Sequence, residues 1–201
     1  MENNIIVTSS GFIDSAERSK EIDELFIKVC KGKKVLVIDN AASTPEISSN
    51  YSQRVCVQKN FKNSGAIISD ILTINENNTN KILDYDCLYV LGGNVTELVK
   101  LVNNTDFKEQ LIRFLKKGIY IGESAGSIIL SKDVKYIYDL KKGTKAKYDE
   151  KLDTYKGLGL IDINIFPHYN RTSEDIRERI KNHTDTSIKI LNDGEFILKS
   201  Y

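Results

Sequence analysis

The stretch IYIGESAGSIIL, residues 119–130, opens as an apolar β-type run and passes through Gly-Glu-Ser-Ala-Gly into residues able to begin a helix. Its strand half is apolar at consecutive positions rather than at every second one. Both faces therefore need covering, as in a parallel sheet held between helix layers. Runs of the same kind recur along the chain: NIIVTS (4–9), KVLVID (34–39), AIISDILTI (66–74), CLYVLGG (87–93), INIFP (163–167) and SIKIL (187–191). Between them lie helical periods. Ile22, Leu25, Phe26 and Val29 fall at i, i+3, i+4 and i+7, and Phe107, Leu111, Phe114 and Leu115 form a second stripe that ends at Lys116, Lys117 and Gly118. Strand and helix alternate, which predicts a three-layer, doubly wound, mostly parallel α/β sheet. The segments SIKIL and EFILKSY (195–201), separated by Asn192, Asp193 and Gly194, predict a C-terminal hairpin.

A chain of 201 residues with 40% hydrophobic content can bury a full core, and one domain over 1–201 is expected. Lys plus Arg number 29 against 28 for Asp plus Glu, so no global field draws the chain to nucleic acid or to an anionic membrane surface. The three cysteines, Cys30, Cys56 and Cys87, are widely spaced and include no Cys-x-x-Cys pair, which suits reduced structural thiols in a cytoplasmic protein. The segment 131–156 is polar and carries eight lysines; it reads as a solvated charged loop, with an excursion over the active-site edge as the alternative.

In an open α/β sheet, ligands sit beyond the carboxyl ends of the strands, so the residues that follow each apolar run come first for function. Gly122-Glu123-Ser124-Ala125-Gly126 matches a nucleophile elbow, in which small flanking residues permit a sharp turn that lifts the serine hydroxyl above the sheet. The competing reading makes Ser124 a plain helix cap. Gly92 and Gly93 end another strand, and two adjacent residues without Cβ let backbone N–H groups approach a substrate, as an oxyanion hole requires. The Gly93 and Ala125 amides are the candidate donors. Asn94 and Glu97 next to them form a capping-box-like pair. His168, in NIFPHYN, stands at the matching edge and suits the base that a serine nucleophile needs. His183 reads as a residue of the last turn of a helix. To orient His168, Asp193 fits best, although Asn-Asp-Gly is also what a tight turn prefers; Glu195 and Glu123 are the alternatives.

On these residues the sequence resembles the peptidase E family, serine dipeptidases of family S51 that act on aspartyl dipeptides and are built on the fold of class I glutamine amidotransferases. The likeness runs over most of the chain: GGN after the fourth strand, GxSAG after the fifth, Pro-His after the sixth, and an acidic residue followed by glycine near the end. It implies Ser124 as nucleophile, His168 as base, Asp193 in the place where the family carries glutamate, and Gly93 and Ala125 as oxyanion donors. The order Ser, His, Asp separates the chain from α/β-hydrolases, a reading that would need His183 with Asp153 or Asp162. Two departures stand out. Glu123 replaces the tryptophan found before the nucleophile, placing a carboxylate where it would repel an acidic substrate if it faced the site, and Asp193 is one methylene shorter than glutamate. Arg171 and Arg177, with Asn94, are candidates for holding a substrate carboxylate. The expectation is hydrolysis of small peptides, dipeptides above all, by a monomer or homodimer that needs no metal or cofactor. A non-peptidase acyl hydrolase with the same triad and a catalytically silent binding module of the same fold are the alternatives.

Overall fold

A computed structural model of the chain describes residues 4–12, 19–42, 50–185 and 187–201. Its centre is a six-stranded sheet made of β1 (Ile5–Thr8), β2 (Lys34–Ile38), β3 (Ile68–Leu72), β4 (Cys87–Val90), β5 (Ile119–Glu123) and β8 (Phe196–Lys199), in the order β3-β2-β4-β5-β1-β8. All pairs are parallel except β1 with β8. The consecutive apolar residues of each strand divide between two cores, as the strand period of two demands. Ile5, Val7, Leu36, Ile38, Leu88, Val90 and Tyr120 face one side, where α3 (Val95–Asn104) and α4 (Phe107–Leu115) supply Leu98, Leu101, Leu111 and Phe114. Ile6, Val35, Val37, Tyr89, Ile119 and Ile121 face the other, beneath α1 (Lys20–Cys30) and α2 (Asn50–Asn63), which supply Ile22, Phe26, Val57 and Phe61. The fold is thus the α/β architecture expected, with the carboxyl ends of β1, β4 and β5 opening on one edge of the sheet.

Two expectations need correction. The C-terminal hairpin does not form. β7 (Ile188–Ile190) pairs in parallel with β6 (Asn164–Phe166) in a separate two-stranded sheet, whereas β8 joins the edge of the main sheet beside β1. The turn itself is present, closed by the Glu195 N–H donating to the Asn192 carbonyl at 3.1 Å, with Gly194 at φ +86°. It redirects the chain from one sheet to the other, because Phe196 and Ile197 find cover on the two cores and β1 needs an edge partner. Turn chemistry fixes a reversal of direction, not the partner of the next strand.

Nor is the segment 131–156 a solvated loop. It contains α6 (Lys135–Lys141), whose Tyr136, Ile137, Tyr138 and Leu140 are buried, and an antiparallel bridge between Asp133 and Lys156 closes it. The Tyr136 hydroxyl donates to the Ile165 carbonyl at 2.7 Å and accepts from the Ile165 N–H at 3.0 Å, which ties α6 to β6. The lysines mask an apolar stripe of tyrosine, isoleucine and leucine underneath.

Candidate active site

Three loops meet at the open edge. The first leaves β5 through Ser124, whose backbone stands at φ 47°, ψ −106°, a region that residues with a Cβ seldom occupy and that marks a strained turn. Such a tight elbow needs small neighbours. A Cβ at Gly126 would lie 2.2 Å from the Val90 carbonyl oxygen, and one at Gly122 would lie 2.6 Å from the Gly126 carbonyl oxygen. Ser127 locks the elbow to β1, its hydroxyl accepting from the Thr8 N–H at 3.0 Å and lying 2.7 and 2.8 Å from the Thr8 and Gly122 carbonyl oxygens. Ser124 occupies the N-cap position of α5 (Ala125–Ile128), but its side chain makes no capping bond. The hydroxyl points to the next loop instead.

That loop follows β6. His168 adopts a left-handed conformation, φ 60°, ψ 34°, which turns its ring back over the sheet edge. Its Nε2 lies 2.9 Å from the Ser124 Oγ, and its Nδ1 lies 2.6 Å from the Asp193 Oδ1. Asp193 comes from the third loop, the turn between β7 and β8, and its side chain is wholly buried. Ser9 ties the second and third loops together: its hydroxyl accepts from the His168 N–H and donates to the Asp193 Oδ1, each at 2.8 Å. The Arg171 Nε reaches the Asp193 Oδ2 at 2.6 Å, and the Asn170 side-chain oxygen accepts from the Asp193 N–H at 2.9 Å. Burial pushes the His168 imidazole below its ordinary pKa, helped by the cations Lys141 and Arg171 and opposed by Asp193.

The glycine pair borders Ser124 on its other side. Gly93 has φ +133°, and a Cβ there would lie 2.3 Å from the Ala41 carbonyl oxygen, so only glycine fits. The amides around it are occupied: Leu91 N–H donates to Ile38 at 3.0 Å, Gly92 N–H to the Glu123 Oε1 at 3.2 Å, and Asn94 N–H to Ala41 at 2.8 Å. Ala125 opens its helix, so its N–H has no acceptor within the helix.

The remaining candidates divide. Glu123 does not face the site. It is 4% exposed, and its carboxyl sits beneath the elbow against the Tyr89 hydroxyl and the Gly92 N–H. Burial lifts its pKa to about 8 against the pull of those two hydrogen bonds, so near neutral pH it is a protonated acid and not a repelling charge. Asn94 is committed to capping α3, accepting from the Thr96 N–H at 3.1 Å. Arg177 stacks over the Tyr169 ring at 5.3 Å and donates to the Asn170 carbonyl at 3.3 Å, bracing the turn after His168. Of the candidate orienting groups other than Asp193, Glu195 accepts from the Asn192 N–H at 2.7 Å and closes its own turn. His183 accepts at Nδ1 from the Asp185 N–H at 3.1 Å, while Asp162 pairs with Lys199 at 3.1 Å; the two are not brought together.

Beside His168 opens a pocket of about 440 Å³ lined by Lys141, Lys145, Tyr148, Arg171, Ser173 and Ile176, among others. Lys141 has no carboxylate partner among the described residues. Its ammonium lies 5.5 Å from the Tyr148 ring centroid and 5.0 Å from that of Phe166, and burial together with Lys147 and Lys145 lowers its pKa to about 8. Ser9, Asn170 and Lys141 border the candidate triad and are not among the residues expected from the sequence. Ser9 at least follows the carboxyl end of β1, where the strand-end rule applies.

A profile of peptidase family S51 matches residues 5–200. The chain belongs to peptidase family S51. It is therefore a serine peptidase of the peptidase E group. Among curated relatives, the uncharacterized peptidase Lmo0363 of Listeria monocytogenes is 28% identical over 185 residues, 88% of this chain and 83% of that protein. The uncharacterized peptidase PM1590 of Pasteurella multocida is 30% identical over 98 residues, 45% of this chain and 43% of that one. A crystal structure described as a peptidase E protein from Listeria monocytogenes superposes with a TM-score of 0.76 at 25% identity, covering 98% of this chain and 93% of its own. A peptidase from an acI-B1 actinobacterium shares the fold, with a TM-score of 0.69 at 16% identity over 98% and 82% of the two chains. Among the described residues of this S51 peptidase, no helix is long and apolar enough to cross a membrane.

Proposed function

We propose that the chain hydrolyses small peptides, dipeptides above all, through a Ser124-His168-Asp193 triad and an acyl-enzyme. One observation carries the reading: the Ser124 Oγ stands 2.9 Å from the His168 Nε2 while the His168 Nδ1 stands 2.6 Å from the buried Asp193. In this scheme Ser124 attacks the scissile carbonyl and His168 takes its proton. The imidazole then hands that proton to the leaving amine, with Asp193 holding the ring tautomer and stabilising the imidazolium between the two transfers. The Gly93 and Ala125 amides receive the oxyanion, a role supported by neither amide having another acceptor among the described residues. Water, deprotonated by the same imidazole, releases the acyl group.

The pocket beside His168 supports a short substrate, since about 440 Å³ lies at the low end of the range for small-molecule sites, ~300–1,000 Å³. Its lysines support an acidic one, and the neutral, turned-away Glu123 removes the objection that the sequence raised to aspartyl peptides. Turnover of Asp-Leu, Ala-Leu and a p-nitrophenyl ester by the wild type and by Lys141→Met tests the reading. Wild type is expected to favour Asp-Leu, and the substitution to reduce that preference by roughly 10-fold, the worth of one charge-assisted contact. Hydrolysis of the ester alone would overturn the peptidase specificity, and an unchanged Asp-Leu to Ala-Leu ratio in Lys141→Met would overturn the role given to that lysine.

A further inference from the structure

The segment 131–156 reaches the glycine pair. From its short 3-10 turn, Ala146–Tyr148, Lys147 extends and donates from its ammonium to the Gly93 carbonyl at 2.9 Å. Tyr148 beside it is buried and meets Tyr138 edge-on at 5.8 Å, and the Tyr138 hydroxyl lies 2.6 Å from the Thr96 Oγ1 in the first turn of α3. One wall of the segment is therefore built against the loop that carries Gly92 and Gly93. Like Lys141, Lys147 has no carboxylate partner among the described residues. Its neighbours are Lys145, Lys141 and the Tyr148 ring at 5.1 Å, and burial with Lys145 brings its pKa down to about 8. A half-buried ammonium among other cations is costly to hold, so a strong compensating contact is needed, and the Gly93 carbonyl supplies it.

We infer that Lys147 is a positioning residue for the oxyanion hole, a role that rests on the triad reading above. Two adjacent glycines form the most freely rotating dipeptide a chain can have, and an amide between them can swing away from the substrate. Here the flanking peptides are pinned. Glu123 holds the Gly92 N–H from below the sheet edge, and the Gly93–Asn94 peptide is held at both of its edges, by Ala41 at the Asn94 N–H and by Lys147 at the Gly93 carbonyl. A single hydrogen bond lets a peptide plane pivot about it, and a second on the opposite edge stops the pivot. The Gly93 N–H, which has no partner among the described residues, lies between these pinned peptides and is thereby held in the place that the triad reading gives to an oxyanion donor. The donor comes from outside the core α/β repeat, so the segment 131–156 acts as the brace of the oxyanion loop.

Lys147→Met removes the donor and keeps most of the packing, and Lys147→Arg restores a cationic donor. The comparison is steady-state kinetics on the best dipeptide, together with the rate of inactivation by a diphenyl phosphonate, whose tetrahedral adduct places an oxygen in the oxyanion hole. Since loss of a whole oxyanion donor costs ~10²–10³ in kcat, loss of its brace is expected to cost ~10–100-fold in kcat and a similar factor in inactivation rate, with KM changed by no more than about 2-fold. Lys147→Arg should recover most of both. Unchanged kcat in Lys147→Met, a rise confined to KM, or a lowered melting temperature with wild-type turnover would each overturn the inference. If Lys147→Met does not fold, Lys147→Gln, whose shorter amide cannot reach equally far, carries the same comparison. Failure of the triad itself would look different: the phosphonate would not label even the wild type.

Discussion

Glu123→Gln isolates the least expected feature of the site, a protonated carboxyl directly before the nucleophile. Folded, this group titrates at about 8; unfolded, it returns to the ordinary carboxyl value of 4.5. Between those values the unfolded chain has released a proton that the folded chain still holds. Its contribution to stability is therefore complete below about 4.5 and is lost progressively as pH rises toward about 8, at roughly 1 kcal/mol per pH unit. A glutamine mimics the neutral acid without titrating. Its oxygen can accept from the Gly92 N–H, and its amide can face the Tyr89 hydroxyl, which already accepts from the Phe12 N–H at 2.8 Å. The Tyr89 proton then loses its acceptor, at a cost of ~1 kcal/mol. Urea denaturation across a pH range of about 5 to 8 should find the variant slightly less stable than wild type at the acid end and more stable at the alkaline end, the curves crossing between. Two parallel curves would refute the reasoning, and so would a variant less stable by several kcal/mol at every pH, which would mean that the carboxylate is ionised and bonded as such. The variant should also leave the Asp-Leu to Ala-Leu preference unchanged at neutral pH, since the group it replaces neither faces the substrate nor carries charge there.

Two further outcomes follow from the same geometry. Because burial and the neighbouring cations lower the His168 pKa, the imidazole stays neutral further into acid than a free histidine, and kcat/KM should fall only below ~6.5; an acid limb above that value in a pH–rate profile would contradict the assigned base. Ser9→Ala deletes the hydroxyl that joins the His168 N–H to Asp193; with a buried donor left unsatisfied at ~1–3 kcal/mol, kcat/KM should drop by about 10-fold or more, and a variant with wild-type kinetics would remove Ser9 from the site.

The sheet was legible because its strands are apolar at consecutive positions, and each of the seven runs singled out contains an observed strand. The elbow, the double glycine and the Pro-His pair were legible because each lies immediately after such a run, where the chain must turn over the sheet edge. What local patterns could not carry was partnership over long distances. Asn192, Asp193 and Gly194 announce a reversal in either of two topologies, and the choice between a hairpin and a sheet switch was made by the unfilled edge of β1, nearly two hundred residues away. The direction of Glu123 was hidden for a similar reason. In sequence it is a charge beside a nucleophile, and only the arrival of Tyr89 and Gly92 from β4 and its exit loop shows that it is buried as a neutral acid. Segment 131–156 misled through composition: eight lysines suggest solvent, yet Tyr136, Ile137, Tyr138 and Leu140 pack inward and Lys147 is drawn onto the Gly93 carbonyl.

The central claim is that Ser124 is a nucleophile activated by His168, and the intact mass of the protein after treatment with a diphenyl phosphonate tests it most directly. The account predicts one stoichiometric phosphonyl adduct on folded wild-type protein, mapping to Ser124, absent from Ser124→Ala and formed far more slowly by His168→Ala. Folded wild-type protein that acquires no adduct, or a Ser124→Ala variant that is labelled equally well and still hydrolyses dipeptides, would contradict it.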